Sequence, residues 1–594
     1  MILGLPLNVL LIVLFVMQRE VYEFISKETN DPLVEWKTCV SSCDEFPIFF
    51  SEQQLLSTIS PVCLNSKINI PLPQESPFMR RIRRASCRAE RHLHKRELDD
   101  RDGEFISLYS PAKPFPVYHF DFWSSDQWDP FSYWMDFDFN RTFFEQFAHL
   151  QSIVPRMHIH NWPNNHNSDY TNHAGNVKNC YLCFATNFSE DCLYCRGVIK
   201  SHMCFDCLNC QDCENCYECI DCHNCFAIFW GQSCFDCTNS TFMFDCTHCN
   251  NCLWCVGLQN KSYCIFNKQY SQEEFTKKLT DTTFDIIKKD YLTLKNDLAL
   301  PALITSQSED AIWCYLTNVK KALCCFDVFQ WENIRYCDTL YGGVTQSADI
   351  TSFGIDIQYS YQCASSGYGL INCLFCTHCR SQVHHLFYCD LCNTNTHDCF
   401  GCVWLYNKQY SILNKQYSKW NYELMVTKII HHMQETWERW QYFPPSCNVF
   451  SFNESIAPEY YDRSKEKALE NGFVWDELLD KQYDWSACIP KPIEYYINNP
   501  EKQKELLQWI ITCKESGRAF KITSQELSFY CKHWLQIPEL HSDVRHKKRM
   551  DQRAQRDLFL RCSDKSWKQL LSVYPQDSPF KVYSEQEYRK EVFG

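Results

Sequence analysis

The cysteines between Cys180 and Cys264 stand on a lattice of three residues. This segment holds 19 cysteines, and every spacing between them is a multiple of three. The dominant larger repeat is 12 residues, so that Cys180, Cys192, Cys204 and Cys216 form one column. An α-helix repeats every 3.6 residues and a flat strand every 2, so neither explains the lattice. The pattern predicts stacked coils, with the Asn and Asp residues that often precede a cysteine at the corners.

A looser copy of the lattice lies between Cys314 and Cys402. The two lobes close on related strings, CLWCVGLQNKSYCIFNKQYS at 252–271 and CFGCVWLYNKQYSILNKQYS at 399–418. Each string leads into an amphipathic pattern that predicts a capping helix, and Ser271 with Glu274 forms a capping box before the first. The predicted apolar face of the second helix consists of Tyr422, Val426, Ile429, Met433, Trp437 and Trp440.

The two ends of the chain are also a pair. SLYSPAKPFPVY at 107–118 matches SVYPQDSPFKVY at 572–583. Upstream, Thr-Cys and Phe-x-Ile occur in the same order in both copies, at Thr38-Cys39 with Phe46-x-Ile48, and at Thr512-Cys513 with Phe520-x-Ile522. The order predicted for the chain is therefore a terminal module, two cysteine-rich lobes and a second terminal module.

The chain resembles an uncharacterised family of cysteine-repeat proteins from candidate-phyla bacteria and giant viruses. The resemblance rests on NCYLCF (179–184), SEDCLYC (189–195), KPFPVY (113–118), WDPFSY (128–133) and NKQYS, and covers nearly the whole chain. It implies terminal modules similar to zinc ribbons, with Cys-x-x-Cys knuckles. Ser76 with Met79, His119 with Phe122, and Ser584 with Glu587 stand where the family has cysteines, so the terminal zinc sites are expected to be lost. Some members carry a class III CoA-transferase label, which no residue here supports.

The predicted fold class is mainly β with helical caps: two cysteine-rich β-solenoid lobes of about 12-residue repeats, flanked by small degenerate zinc-ribbon-like modules. The predicted segments are an apolar N-terminal stretch at 1–17, a terminal module at 36–125, an aromatic connector at 126–175, lobe 1 at 176–270, a helical cap or linker at 271–300, lobe 2 at 305–418, a helical cap at 419–442, a connector at 443–504 and the second module at 505–594.

The cysteines allow three interpretations. Free cysteine packs as a small hydrophobe, so a column could fill a narrow core. Four thiolates at Cys-x-x-Cys spacing could instead hold zinc. Disulfides would require an oxidising compartment. The candidate zinc ligands are Cys204, Cys207, Cys210, Cys213, Cys216, Cys219, Cys222 and Cys225.

Two basic runs, at 80–96 and 545–561, could contact nucleic acid by neutralising phosphates. The alternative is that they form solvated helix faces or pair with acidic residues of this chain, whose net charge is -14. The candidate contacts are Arg80, Arg81, Arg83, Arg84, Arg545, Lys547, Lys548 and Arg549.

No phosphate loop, Gly-x-Ser-x-Gly or His-Glu-x-x-His motif occurs in the sequence. The predicted function is therefore a non-enzymatic cysteine-rich repeat protein acting as a binding or structural scaffold with an unknown protein partner. The alternative is a zinc-binding protein that contacts nucleic acid through its basic modules. Reduced thiols predict a cytoplasmic location, and the alternative is a membrane anchor at residues 2–17, an apolar run that could also be an artefact of the assigned start site.

Overall fold

The computed structural model describes residues 19–214, 217, 220, 231–232, 237–280, 291, 293–306, 308–335, 338–341, 345–348, 358–360, 362, 364, 384–392, 395–439, 441–461, 464–479, 489–553 and 556–593. The chain divides into two compact units. Unit 1 comprises 1–159, 299–475 and 554–591, and unit 2 comprises 160–298, 476–553 and 592–594. The predicted second terminal module is thus divided between the two units near residue 554.

Helices are numerous in the described part of the chain. Most begin where a side chain caps free backbone N–H groups, as Thr142 and Glu145 do for one and Thr523 and Glu526 for another. The helices are Phe50–Ile59, Pro77–Ser86, Phe120–Trp123, Phe143–Ile153, Gln272–Thr280, Lys419–Glu435, Ala457–Tyr460, Lys465–Glu470, Pro500–Gln508, Ser524–His533, Ser542–Met550 and Glu585–Tyr588.

Most of the described sheets have two short strands. The antiparallel hairpins pair Leu33–Thr38 with Glu45–Phe49, Val62–Cys63 with Ser66–Lys67, His94–Leu98 with Arg101–Ser107, Cys264–Ile265 with Lys268–Gln269, Ile511–Thr512 with Ala519–Phe520, and Phe559–Cys562 with Gln569–Ser572. The parallel pairs join Val117–Tyr118 to Arg156–Met157, Thr171–Asn172 to Cys183–Phe184, Gly231–Gln232 to Met243–Phe244, and Leu300–Pro301 to Val582–Tyr583.

Two larger sheets lie in unit 1, within the predicted second lobe. One consists of Thr305–Ser306, Glu309–Arg335, Asp338–Tyr341, Thr345–Ala348 and Gln358–Ser360. The other consists of His384–Phe387, His397–Phe400, Gln409–Ile412 and Lys415–Gln416. Its parallel register advances by 13 residues from His384 to His397 and by 12 from His397 to Gln409, so the repeat is looser here, as the spacing predicts.

Lobe 1 forms what we call the first ladder, the described residues between 166 and 265 in unit 2, in which successive coils are joined by parallel bridges. Residue i bridges residue i+12, as Tyr181 does Leu193 and Leu193 does Phe205, which confirms the 12-residue period. Each coil of 12 residues has four sides, and each side consists of one bridging residue, one corner residue with positive φ and one inward residue. The cysteines occupy inward positions, which recur every three residues, so the spacings between cysteines are multiples of three.

The predicted fold class is nevertheless wrong. The structure is about 30% helical and 23% strand, so it is not mainly β, and its described residues form no β-solenoid lobes. The physical reason lies in the corners: wherever the residue after a bridge is described, it has positive φ and interrupts the extended backbone, so most of the first ladder makes isolated bridges instead of strands. Much of the remaining sequence is capped helix and short hairpin.

The capping predictions have mixed outcomes. Ser271 and Glu274 form the predicted box, with the Glu274 N–H donating to Ser271 Oγ over 3.3 Å. In the second capping helix, Tyr422, Val426, Ile429 and Met433 are buried as predicted. The helix ends at Glu435, however, and Trp437 lies beyond it with 85% of its surface exposed, so its assignment to the apolar face is wrong. Trp440 lies outside the described residues.

Candidate functional site

The inward positions of the first ladder form a narrow buried core within unit 2. Cysteines fill most of them, and each described one, from Cys180 to Cys264, is buried. All cysteine side chains that the structure describes are free thiols. Of the candidate zinc ligands, Cys204, Cys207, Cys210 and Cys213 lie in this core. The other four, Cys216, Cys219, Cys222 and Cys225, lie outside the described residues.

The thiols donate hydrogen bonds to backbone carbonyls of their own ladder. Cys195 shows the pattern, with Sγ 3.2 Å from the carbonyl oxygen of Leu193 in its own coil and 3.2 Å from that of Cys204 in the next. Cys183 repeats it with Tyr181 at 3.6 Å and Cys192 at 3.1 Å. A buried polar group needs such partners, and here backbone carbonyls supply them.

Other small residues occupy the same inward positions and make the same bond. Ser189, Ser201 and Ser240 are buried, and the Oγ atom of each donates to the carbonyl two residues earlier, over 2.9, 2.9 and 2.8 Å. Ala174, Val177 and Val198 fill further inward positions without any donor. These inward positions therefore accept a thiol, a hydroxyl or an aliphatic side chain.

The thiols are close enough to affect one another's ionisation. Hydrogen bonds from Cys183 and Cys192 lower the pKa of Cys180 to about 4, whereas desolvation and the hydrogen bond to Cys180 raise the pKa of Cys183 well above its usual range. Within the described residues, no group of three or more His, Cys, Asp or Glu side chains is arranged to hold a metal ion. Zinc binding at the 204–225 run therefore stays a prediction.

The first part of each basic run lies in a short helix, which we call the N-terminal arginine helix (Pro77–Ser86, in unit 1) and the C-terminal arginine helix (Ser542–Met550, in unit 2). Most of the eight candidate nucleic-acid contacts face inward. Arg80, Arg81, Arg84, Arg545 and Arg549 are buried, Arg83 is partly buried, and Lys547 and Lys548 are exposed.

In unit 1, carboxylates meet the arginines of the N-terminal arginine helix. Nη2 of Arg80 lies 2.9 Å from Oε1 of Glu52, and both side chains are almost completely buried. Nη2 of Arg83 lies 2.7 Å from Oε1 of Glu75. A charge desolvated in this way is stable only when paired, so these arginines hold the module together.

In unit 2, the C-terminal arginine helix directs two guanidinium groups at the first ladder. Nη1 of Arg549 lies 3.0 Å and Nε of Arg545 lies 3.3 Å from Oδ1 of Asp206, a corner residue of the ladder. Arg545 also lies 3.5 Å from Oε1 of Glu526 and stacks over the ring of Tyr194 at 4.7 Å. Lys548, the exposed neighbour, pairs with Glu515 on the surface.

Sequence reasoning missed the acidic partners, although one signal pointed to them. Glu52 and Glu526 each follow the Ile of the duplicated Phe-x-Ile marker by four residues, and both pair with a buried arginine. Those arginines, Arg80 and Arg545, are also equivalent, because the displacement of 465 residues that relates SLYS to SVYP relates them too. Extending the duplication to single residues would have identified the ion pairs. Asp206 has no such counterpart in the sequence comparison.

No helix in the described part of the chain has the length and apolar character needed to cross a membrane, and residues 2–17 lie outside that part. Comparison with protein-family models, with curated proteins and with solved structures gave no match. The resemblance to the cysteine-repeat family therefore stays a prediction.

Proposed function

We propose that this chain is a non-enzymatic scaffold whose cysteine ladder is a reduced packing core and whose exposed loops bind a protein partner. One observation supports the scaffold most directly: cysteine, serine, alanine and valine share the same inward positions, and the first two make the same backbone hydrogen bond. A column of metal ligands or nucleophiles could not exchange with alanine and valine in this way.

The binding half of the proposal rests on exposed tryptophans in an unfavourable backbone conformation. Trp437, Trp534 and Trp567 have φ of 62°, 55° and 61°, and each side chain is mostly exposed. Positive φ is rare for bulky residues and costs energy. A large exposed ring contributes little packing energy to the folded chain. Tryptophan is strongly enriched at binding hot spots, so these rings are suited to contact a partner.

The test is zinc content together with thiol count on the same full-length sample. We expect all thiols to react after denaturation without reductant, most to be protected in the native chain, and less than one zinc per chain. One or more tightly bound zinc ions would contradict the packing core and favour the alternative zinc-binding function, since a structural four-thiolate site binds strongly. Extensive disulfide pairing would also contradict a reduced packing core, but it would argue against zinc as well, because zinc is bound by thiolates.

Nucleic-acid contact has less support, because five of its eight candidate residues are buried. A gel shift of the full chain at low salt tests it, with Lys547 and Lys548 replaced by Gln in the matched variant. Salt-sensitive binding that the variant loses would establish nucleic acid as a partner.

A further inference from the structure

Three turns in this chain share one hydrogen-bonding pattern, at Cys39–Asp44, Cys513–Arg518 and Ser563–Lys568. In each, the first residue's N–H donates to the carbonyl of the sixth, over 2.7, 2.8 and 2.9 Å, and the fifth residue's N–H donates back to the first, over 2.9, 3.0 and 3.0 Å. The fifth residues, Cys43, Gly517 and Trp567, have φ of 61°, 67° and 61°. The three segments therefore form the same turn.

The first side chain of this turn accepts hydrogen bonds from the backbone. Sγ of Cys513 accepts the Ser516 N–H over 3.5 Å, and burial, which raises the pKa of that thiol, is outweighed by backbone donors that lower it. At the equivalent position, Oγ of Ser563 accepts the N–H groups of Lys565 and Ser566 over 3.2 and 3.4 Å. A Cys-x-x-Cys metal knuckle also places two ligands three residues apart. In the turns at Cys513 and Ser563, backbone N–H groups are directed at the first of the two positions.

Around Glu587, in unit 1, two such pairs of residues meet. Ser563 and Ser566 come from the turn, and Ser584 and Glu587 have the same three-residue spacing. Oε2 of Glu587 accepts hydrogen bonds from Oγ of Ser563 over 2.6 Å and from Oγ of Ser584 over 2.8 Å. Desolvation raises the pKa of Glu587, but the hydrogen bonds from Ser563, Ser566 and Ser584 outweigh it and lower the pKa to about 2.

A capping box explains only half of these contacts. The Ser584 N–H and Oγ both bond to Glu587, as in any such box. The bond to Ser563 is not part of it, since Ser563 lies in another turn 24 residues away and is completely buried. The carboxylate thus links the hairpin Phe559–Ser572 to the chain after Val582–Tyr583, which is what a metal ion does between two knuckles.

We propose that Ser563, Ser566, Ser584 and Glu587 occupy the four ligand positions of a metal-knuckle pair, and that the Glu587 carboxylate joins the two turns in place of a metal ion. The residue set is wrong for zinc, because three of the four groups are neutral hydroxyls and already donate to the fourth. The three-residue spacing of both pairs, in contrast, is that of two knuckles, and both pairs converge on the Glu587 carboxylate. The site is therefore convertible: four thiolates at these positions should bind one zinc ion.

The experiment measures zinc in the full-length chain and in the variant S563C/S566C/S584C/E587C after gel filtration in zinc-free buffer. We expect one zinc per chain more in the variant, and cobalt in its place to give the absorption of a tetrahedral thiolate complex. The matched control, K565C/K568C/E585C/Q586C, places four cysteines at exposed positions of the same two turns and should gain no zinc. A folded four-cysteine variant without extra zinc, or an equal gain in the control, would overturn the proposal.

A second variant covers the case in which the four-cysteine chain does not fold. E587Q removes the anionic acceptor but keeps the size of the side chain. We expect amide exchange in Phe559–Ser572 to become at least tenfold faster, while S584A, which removes one hydroxyl of the capping box, should affect the hairpin much less. Unchanged exchange of this hairpin in E587Q would refute the role of the carboxylate.

Discussion

Asp206 and Asp245 provide the sharpest test of how charge is handled in the first ladder. Both stand in the tripeptide Phe-Asp-Cys and both are corner residues, with φ of 53° and 49°. Asp206 forms ion pairs with two buried arginines, whereas burial dominates the environment of Asp245 and raises its pKa. Asparagine is of similar size and also tolerates positive φ, so D206N and D245N remove the negative charge and replace one carboxylate oxygen by an NH2 donor. We predict stability changes of opposite sign.

D206N should destabilise the contact between the ladder and the C-terminal arginine helix. The side chains of Asp206, Arg545 and Arg549 are at most 6% exposed. Removing one partner of a buried ion pair costs about 3–5 kcal/mol, because the other charge stays buried. Glu526 still lies 3.5 Å from Arg545 and compensates part of that charge. We therefore expect a loss of about 3 kcal/mol, at the lower end of this range.

D245N should stabilise the ladder by an amount that grows as pH rises from about 4 and is complete above pH 7. Burial raises the pKa of Asp245 to about 7, against about 3.9 in an unfolded chain. Between these values the unfolded chain releases a proton that the folded chain retains, so stability falls as pH rises and the penalty is complete above pH 7. Three pKa units correspond to about 4 kcal/mol, but the residue is partly exposed, so we expect about 1–2 kcal/mol at pH 8 and no effect at pH 4.

Amide hydrogen exchange read by mass spectrometry suits this comparison, because a chain with two units need not unfold in one step. In D206N, exchange from the C-terminal arginine helix should become about 100-fold faster. In D245N, exchange from the coil around residue 245 should become slower at pH 8 and unchanged at pH 4. If both variants change exchange in the same direction at pH 8, the argument from burial and pairing is wrong.

Three further predictions concern single side chains. Trp567→Gly should stabilise its hairpin by about 0.5–1 kcal/mol, because glycine accepts positive φ without strain; a loss of thermal stability would mean that the ring supports the fold. Cys195→Ser should cost less than about 1.5 kcal/mol, since serine fills equivalent positions, and a larger loss in urea titration would contradict the packing core. Burial, followed by repulsion from His119, lowers the pKa of His158 to about 4. Its Nδ1 accepts the Phe120 N–H, so stability should fall as pH drops from about 6.5 towards 4, and His158→Gln should abolish that slope.

The sequence predicts local features well, because they depend on neighbours along the chain. The 12-residue period, the Asn and Asp corners and the Ser271–Glu274 capping box each follow from spacings within one or two coils or turns. The buried part of the second capping helix follows from its own periodicity, and only its end, at Trp437, was misplaced.

Features that depend on distant contacts could not be predicted. Asp206 and Asp245 have identical neighbours in sequence, and only the position of the C-terminal arginine helix, more than 300 residues later, distinguishes them. The same holds for the basic runs, whose density suggests a charged surface until Glu52, Glu526 and Asp206 are placed beside them. A carboxylate in another segment decides whether an arginine is buried.

The corners of the first ladder explain why its coils must stabilise one another. The chain has only 15 glycines, yet Leu182, Phe188, Tyr194 and Met203 all adopt positive φ at corners, a conformation that costs an L-residue about 1–2 kcal/mol. A corner gains backbone hydrogen bonds only from adjacent coils, as the Tyr194 N–H does from the Tyr181 carbonyl over 2.9 Å. An isolated coil would bear the strain without these bonds. Folding of the ladder must therefore be cooperative between coils, and its buried cysteines are one means of packing coils that cannot fold alone.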